Sequence, residues 1–113
     1  MAAAHFKLNN FIAFTDYNKM QIDGMVEDIM GLDNLAKKWE AFGFNTIVIE
    51  DGHDVEAILN AIESAKKENE KPSMIILNTI KGKGVKLAED AGVGNHNMPI
   101  SAEQKEQILA ELK

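Results

Sequence analysis

Three polar residues of this 113-residue sequence have side chains suited to binding a small anionic ligand and a divalent cation: Asn18, Lys81 and His96. Asn18 has a neutral amide oxygen, a hard donor that magnesium or calcium accepts, and its neighbours can add backbone carbonyls. Lys81 provides a cation of the kind that proteins use against phosphate groups. His96 lies in a glycine-bearing loop, where catalytic use and an ordinary loop role are equally consistent with its spacing.

The lysines are unevenly distributed along the chain. Lys81, Lys83 and Lys86 lie together in TIKGKGVK, although the whole chain carries a net charge of −6 and contains no arginine. A local basic patch on an acidic protein favours one small anion over nucleic acid, because nucleic-acid binders usually present a basic face with arginine. A solvated lysine loop is an equal alternative. The single G-x-G at 82–84 is too weak to indicate a phosphate-binding loop.

The other two histidines have simpler interpretations. A structural role is favoured for His53, because Gly52 allows a turn beside it and Asp54 can cap a helix. His5 lies in a helical opening segment, where packing or surface exposure is expected. The three histidines are too widely spaced for a local metal motif. The absence of cysteine excludes a disulfide framework, a thiolate zinc site and a cysteine nucleophile.

Three short apolar runs predict the strands that position these residues, at 11–14, 46–49 and 74–77. Each run is almost continuously hydrophobic, which is typical of strands covered on both faces of a parallel sheet. Helical patterns separate the runs, so the sequence predicts an α/β fold of three layers, with a mainly parallel sheet and flanking helices. A length of 113 residues has room for one small domain, over residues 1–113. Its 45% hydrophobic and 27% charged residues are ordinary values for a globular protein and exclude a disordered acidic tail.

The predicted helices begin at residues that can accept hydrogen bonds from the first turn. The expected N-caps are Asp33, Asp54 and Ser101, the last in capping-box spacing with Gln104. Gly43 is expected to end the first of these helices. The second helix is expected to present one apolar stripe, formed by Val55, Ile58, Leu59, Ile62 and Ala65. Residues 82–100 are expected to be irregular.

The polar residues follow the predicted strands at their carboxyl ends. In open parallel sheets, ligands bind outside these ends. Asn18 follows the first strand and Lys81 follows the third, so both residues, together with His96, are expected on the same side of the sheet. No apolar run approaches the ~18–20 residues of a membrane span, and no signal peptide is evident. Cytoplasmic localisation is the expectation.

Four segments carry a family resemblance: TDYNKMQIDG (15–24), KKWEAFGFNTIVIEDGHD (37–54), TIKGKGV (79–85) and GNHNMP (94–99). In order and spacing they resemble the second half of the thiamine diphosphate motif of transketolases and the segments that follow it. The resemblance is strongest to the C-terminal portion of the separately encoded N-terminal subunits of bacteria. It implies an incomplete thiamine diphosphate-binding fold, belonging to a transferase of the pentose phosphate pathway. Such an enzyme moves a two-carbon ketol unit between sugar phosphates with thiamine diphosphate and Mg²⁺.

The resemblance assigns roles to five residues. Asn18 matches a magnesium ligand that also contacts the diphosphate, and Met20 matches a position that gives its backbone carbonyl to the metal. Ile22 matches an apolar residue lining the cofactor. Lys81 matches a lysine that reaches the cofactor in some members. His96 matches a catalytic histidine that contacts cofactor and substrate and is implicated in proton transfer.

This sequence also departs from the family pattern. Asn97 replaces the usual glycine after the histidine, and Asn95 stands where tryptophan is common. The Gly-Asp-Gly half of the motif, which holds the carboxylate ligand, is expected upstream of Met1. Met1 itself resembles an internal residue of the family. The pyrimidine-binding domain and its glutamate also lie outside these residues. We therefore expect a fragment that is not catalytically complete by itself.

Two other interpretations stay open from the sequence. One is a truncated binding or self-association module without chemistry, and the other is an unrelated metal- or phosphate-binding α/β domain, which the ordered match disfavours. Uncovered sheet edges tend to pair, so the expected partner is a second copy of the chain or a complementary transketolase subunit. Sugar phosphates are expected as substrates of the complete enzyme. Neither nucleic acid nor a membrane is expected as a partner.

Overall fold

The computed structural model describes residues 1–112, and these residues contain five strands. They are β1 (Ile12–Tyr17), β2 (Met20–Gln21), β3 (Gly24–Met25), β4 (Asn45–Ile49) and β5 (Ser73–Asn78). Three of them form a parallel sheet in the order β1–β5–β4, and β2 pairs with β3 in an antiparallel hairpin. The predicted parallel α/β fold is confirmed. Ser73, the first residue of the central strand, pairs with the first residue of each neighbouring strand, Ile12 of β1 and Asn45 of β4.

The helices occupy the intervals between and after the strands. They are α1 (Ala2–His5), α2 (Val26–Met30), α3 (Leu35–Ala41), α4 (Val55–Lys66), α5 (Lys86–Asp90) and α6 (Ala102–Glu111), with a 3₁₀ helix at Gly92–Asn97. The expectation that residues 82–100 are irregular is therefore wrong for α5 and the 3₁₀ helix. These helices are short and lack a continuous apolar stripe, which removes the periodicity that predicts longer helices.

Alternating residues of the central strand β5 are buried on opposite faces of the parallel sheet. Ile75 is fully buried against Ile49 and two alanines of α4. Met74 and Ile76 point to the opposite face, where they cluster with Phe44 and the partly buried Trp39 of α3. Side chains of successive strand residues lie on opposite faces, so a continuous apolar run fills both. The three-layer arrangement predicted from hydrophobicity follows from this pattern.

Side-chain hydrogen bonds cap the first turns of α3, α4 and α6. Asp54 caps α4, where its Oδ1 accepts from the N–H groups of Glu56 and Ala57. Ser101 and Gln104 form the predicted capping box of α6. The predicted N-cap of α3 is wrong by one residue, because Asn34, and not Asp33, accepts the N–H of Lys37. The other two predicted N-caps are confirmed.

The predicted apolar stripe of α4 is only partly correct. Ile58, Ile62 and Ala65 pack against the core, but Val55 and Leu59 are largely exposed. Ala57 and Ala61 take core-facing places instead. Of the helices in residues 1–112, none combines the length and apolar character needed to span a bilayer.

The described chain divides into two compact units. The first consists of residues 1–17 and 32–79 and contains the parallel sheet. The second consists of residues 18–31 and the chain from residue 80 onward. Its two segments follow β1 directly and β5 after one residue. Because β1 and β5 are parallel, both segments leave the sheet at its carboxyl end.

Candidate functional site

All five residues that the sequence singles out for the cofactor or the metal belong to the second unit. The first of them, Asn18, begins a tight turn in which its Oδ1 accepts the backbone N–H of Met20 at 3.0 Å. Lys19 between them has a φ of 63°, the left-handed conformation that non-glycine residues seldom adopt. The side-chain bond of Asn18 replaces a backbone turn bond and stabilises this conformation. The amide oxygen retains a second lone pair for another partner.

A short hairpin follows the Asn18 turn. Met20 pairs with Met25 and Gln21 pairs with Gly24, so Ile22 and Asp23 form the two-residue loop. The N–H of Val26, which is buried, donates to the carbonyl of Lys19 and fastens the hairpin to the turn. Ile22 is 66% exposed, so its side chain offers an apolar surface to solvent or to a ligand.

The second segment of this unit brings Lys81 and His96 together. Lys81 Nζ lies 3.4 Å from His96 Nδ1, across 15 positions of sequence. The intervening chain makes two consecutive turns, in which Lys83 N–H donates to Ile80 and Val85 N–H donates to Gly82. The 3₁₀ helix that carries His96 contacts β2, the strand that carries Met20. The structure therefore places the lysine, the histidine and the Met20 hairpin in one unit.

One lysine of the predicted basic cluster, Lys86, is paired with an acidic residue. Lys86 Nζ lies 2.9 Å from a carboxylate oxygen of Asp90, one helical turn away. The hydrogen bond and the charge of Asp90 raise the pKa of Lys86. Within residues 1–112, Lys81 and Lys83 form no such ion pair, so their charges remain available to a ligand. Two cations are consistent with a small anion, as the uneven lysine distribution suggested.

The available donors fit a magnesium–diphosphate group only in part. Residues 1–112 contain no group of three histidine, cysteine or acidic side chains that could hold a metal ion. Asn18 Oδ1 and the Met20 carbonyl are the oxygens that the resemblance assigns to the metal, and the turn holds the first of them in a fixed local conformation. Magnesium prefers octahedral oxygen coordination and often shares it with substrate phosphates. Two protein oxygens therefore fit a shared site, not a complete one.

The other two histidines, His5 and His53, belong to the first unit. His53 follows Gly52 in the loop after β4, and its N–H donates to Asp51 Oδ1 at 3.0 Å. Gly52 N–H donates to the carbonyl of Asn78 at 2.7 Å. A side chain at position 52 would meet that same oxygen at 2.8 Å, so glycine is required by close approach. His5 is exposed at the end of α1.

Two site features were not predicted from the sequence. Asn95 Nδ2 donates to the carbonyl of Ala88 at 2.8 Å, and Gly82 lies directly beside this bond. The G-x-G at 82–84 was the available signal for this feature, but a glycine pair cannot reveal which glycine is closely approached. The second feature is the positive φ of Lys19. Its weak signal is the preceding asparagine, because asparagine favours local side-chain turns.

These features define an α/β protein whose candidate ligand-binding loops follow the carboxyl ends of parallel strands. The family model for the transketolase thiamine diphosphate binding domain matches residues 1–112. The chain therefore belongs to the transketolase thiamine diphosphate-binding domain family, as the resemblance predicted.

Two similar proteins are named as subunits of sugar transketolases. The chain is 48% identical to a 6-deoxy-6-sulfo-D-fructose transketolase subunit of Clostridium sp. (strain MSTE9), over all of this chain and 40% of the relative. It is 36% identical to an apulose-4-phosphate transketolase subunit of Phocaeicola vulgatus, over 99% of this chain and 39% of the relative. The chain thus spans about 40% of the length of these relatives.

Solved structures confirm the fold. A variant transketolase from Pichia stipitis superimposes with a TM-score of 0.87 at 33% identity, over 98% of this chain and 16% of that one. The transketolase of Campylobacter jejuni gives a TM-score of 0.75 at 32% identity, over 95% of this chain and 17% of that one. The second unit, like the first, lies within these matches, since each covers nearly the whole chain.

Proposed function

We propose that this chain contributes part of the magnesium and thiamine diphosphate site of a transketolase. The observation that carries the proposal is the contact of Lys81 with His96 in the same compact unit as the Asn18 turn. These residues are far apart in sequence, and the resemblance assigns all three to one cofactor. Membership of the thiamine diphosphate-binding family supports the same ligand. We further propose that residues 1–113 form part of a single cofactor-binding domain.

Each residue of the proposed site has a distinct task. Asn18 Oδ1 and the Met20 carbonyl would hold Mg²⁺, and Ile22 would cover an apolar part of the cofactor. Lys81 would bind an anionic oxygen of the diphosphate as a point charge. Bound thiamine diphosphate supplies the chemistry of ketol transfer, which protein side chains cannot supply alone.

His96 is proposed as the catalytic residue of this chain. Its Nδ1 lies 3.4 Å from the Lys81 ammonium, which can only donate, so a hydrogen bond between the two side chains would have Nδ1 as its acceptor. A neutral imidazole that accepts at Nδ1 carries its hydrogen at Nε2. His96 would then donate this hydrogen to an oxygen of the cofactor or of the substrate and take part in proton transfer.

The proposed substrates are anionic sugars, principally sugar phosphates of the pentose phosphate pathway. The names of the two relatives include a sulfonated sugar and a sugar phosphate. Both sugars carry an anionic group, and Lys83, which forms no ion pair among residues 1–112, has a positive charge available for such a group. The chemistry that the two names share is a sugar with an anionic group.

We propose a complementary transketolase subunit or a second copy of the chain as partner, in the cytoplasm. Both relatives are named as subunits, which supports the first partner. Phe14 lies in the outer strand β1 and Phe11 directly precedes this strand; the two side chains are nearly half exposed. These exposed aromatic side chains support association with either partner. The same exposed aromatics favour the second candidate function, a non-catalytic association module.

The purified 113-residue chain is expected to show no ketol transfer, even with Mg²⁺ and thiamine diphosphate in excess. Its sequence contains no Gly-Asp-Gly, and the carboxylate that this motif supplies to the metal is therefore missing from the assay. The measurement is a coupled assay with a ketose phosphate donor and an aldose phosphate acceptor, with a complete transketolase as positive control. Turnover by the chain alone, lost in His96→Ala, would contradict the proposal of a partial site.

A further inference from the structure

The atoms around Gly82 leave no space for a side chain at this position. Its φ is 81°, and a Cβ there would lie 2.7 Å from Ala88 Cβ and 2.8 Å from Asn95 Nδ2. Gly84, two residues later, has a similar φ of 92°, but no atom lies within 4 Å of its Cβ position. Both glycines have a left-handed conformation that side chains disfavour. Of the two, Gly82 alone also makes room for a neighbouring segment.

The segment that approaches Gly82 is held by one side-chain hydrogen bond. Asn95 Nδ2 donates to the carbonyl of Ala88 at 2.8 Å, and this bond is half-buried. It joins the 3₁₀ helix to α5, seven residues earlier. The position of the 3₁₀ helix is therefore tied to that of α5 by a side chain, in addition to the backbone between them.

Gly82 and Asn95 are adjacent in sequence to the two residues of the proposed site that contact each other. Lys81 precedes Gly82, and His96 follows Asn95. The contact between Lys81 Nζ and His96 Nδ1 is exposed, and its 3.4 Å separation is long for a hydrogen bond. Such a contact does not fix two mobile side chains, whereas the shorter Asn95 bond fixes the backbone that carries one of them.

We propose that Asn95 is a positioning residue for His96. By bonding to Ala88 across the space that Gly82 leaves, it sets His96 against Lys81 and so selects the state in which Nδ1 accepts and Nε2 carries the hydrogen. The inference rests on the proposed function only for the task of His96. The positioning itself is a property of the chain without ligand.

Nuclear magnetic resonance of the isotopically labelled 113-residue chain, without cofactor, tests this inference. In the wild-type chain we expect a nuclear Overhauser effect between the His96 ring and the Lys81 side chain, and a His96 Nδ1 shift typical of a hydrogen-bond acceptor. Asn95→Ala should abolish both signals. Asn97→Ala, which changes the asparagine on the other side of His96, should leave both unchanged.

The glycine pair provides a second and independent comparison. Gly82→Ala should abolish the His96–Lys81 signals, and Gly84→Ala, which places alanine at a similarly positive φ in open space, should retain them. Amide resonances of β5 report whether each variant is folded. If Gly82→Ala does not fold, the asparagine comparison decides the result.

Two results would overturn the inference: unchanged signals in Asn95→Ala, or equal losses in Asn95→Ala and Asn97→Ala. The samples contain no thiamine diphosphate, so these outcomes do not depend on the proposed function. Loss of the contact in Asn95→Ala alone supports the positioning role, whether or not thiamine diphosphate later perturbs His96. Absence of that later response would count against the proposed function only.

Discussion

Replacing Gly52 with alanine is expected to destabilise the folded chain by about 2–4 kcal/mol. A Cβ at this position would lie 2.8 Å from the carbonyl oxygen of Asn78 and 2.9 Å from Leu77 Cβ. Both atoms belong to the central strand, which cannot move without disturbing the core. Relief of the clash would also lengthen the 2.7 Å hydrogen bond from Gly52 N–H to Asn78. The measurement is urea unfolding followed by circular dichroism.

Gly94→Ala is the control for this substitution. Its Cβ position has no atom within 4 Å, and its φ is not positive. The free energy of unfolding should therefore change by less than about 0.5 kcal/mol, as for an ordinary surface substitution. Similar losses in the two variants would contradict the assignment of Gly52 to close approach. They would indicate a general effect of replacing loop glycines.

Asn18→Ala is expected to lower the affinity for magnesium–thiamine diphosphate by at least about tenfold. The substitution removes the amide oxygen proposed as a metal ligand. It also removes the acceptor of Met20 N–H, while Lys19 stays in a conformation that costs about 1–2 kcal/mol. Amide chemical shifts, followed during a titration with thiamine diphosphate in excess Mg²⁺, measure the affinity.

Asn18→Asp separates the two consequences of this change. A carboxylate still accepts the N–H of Met20, so the turn should persist, and it is a stronger ligand for magnesium than an amide. Asn18→Asp should therefore bind at least as well as the wild type. Unchanged affinity in Asn18→Ala, with the turn intact by amide shifts, would remove Asn18 from the proposed site.

The parallel sheet was predictable because the sequence of each of its strands contains a continuous run of apolar residues. The run at 74–77 lies within β5, and Ile75 is buried on one face while Met74 and Ile76 are buried on the other. The first strand is longer than its apolar run, because Thr15 to Tyr17 continue to pair with β5. Backbone pairing does not require apolar side chains, so hydrophobicity alone misses the end of the strand.

The error at the start of α3 has a backbone cause. Asp33 has a φ of 52°, whereas an N-cap residue needs an extended conformation, which Asn34 has. Aspartate and asparagine are almost equal as N-caps, and the sequence does not show which one adopts the left-handed conformation. The choice depends on how the chain enters the helix, which is a tertiary property.

In the candidate site, too, the residue types could be read from the sequence, but the contacts that depend on tertiary packing could not. The importance of Asn18, Lys81 and His96 came from their residue types and from the family resemblance. The Asn95–Ala88 bond and the closed space at Gly82 connect residues whose significance depends on packing. No spacing rule relates an asparagine of a 3₁₀ helix to a carbonyl of the preceding helix seven residues earlier. Such contacts become evident only in three dimensions.

The measurement that tests the central claim most directly is a titration of the ¹⁵N-labelled 113-residue chain with thiamine diphosphate and Mg²⁺, followed by amide chemical shifts. We expect weak binding, with a dissociation constant on the order of 1 mM or higher. The shifts should be concentrated at residues 18–22, 81 and 96, and should saturate together. Shifts centred on residues 50–54, or no change at Asn18, Lys81 and His96 at ligand concentrations well above this value, would contradict the account.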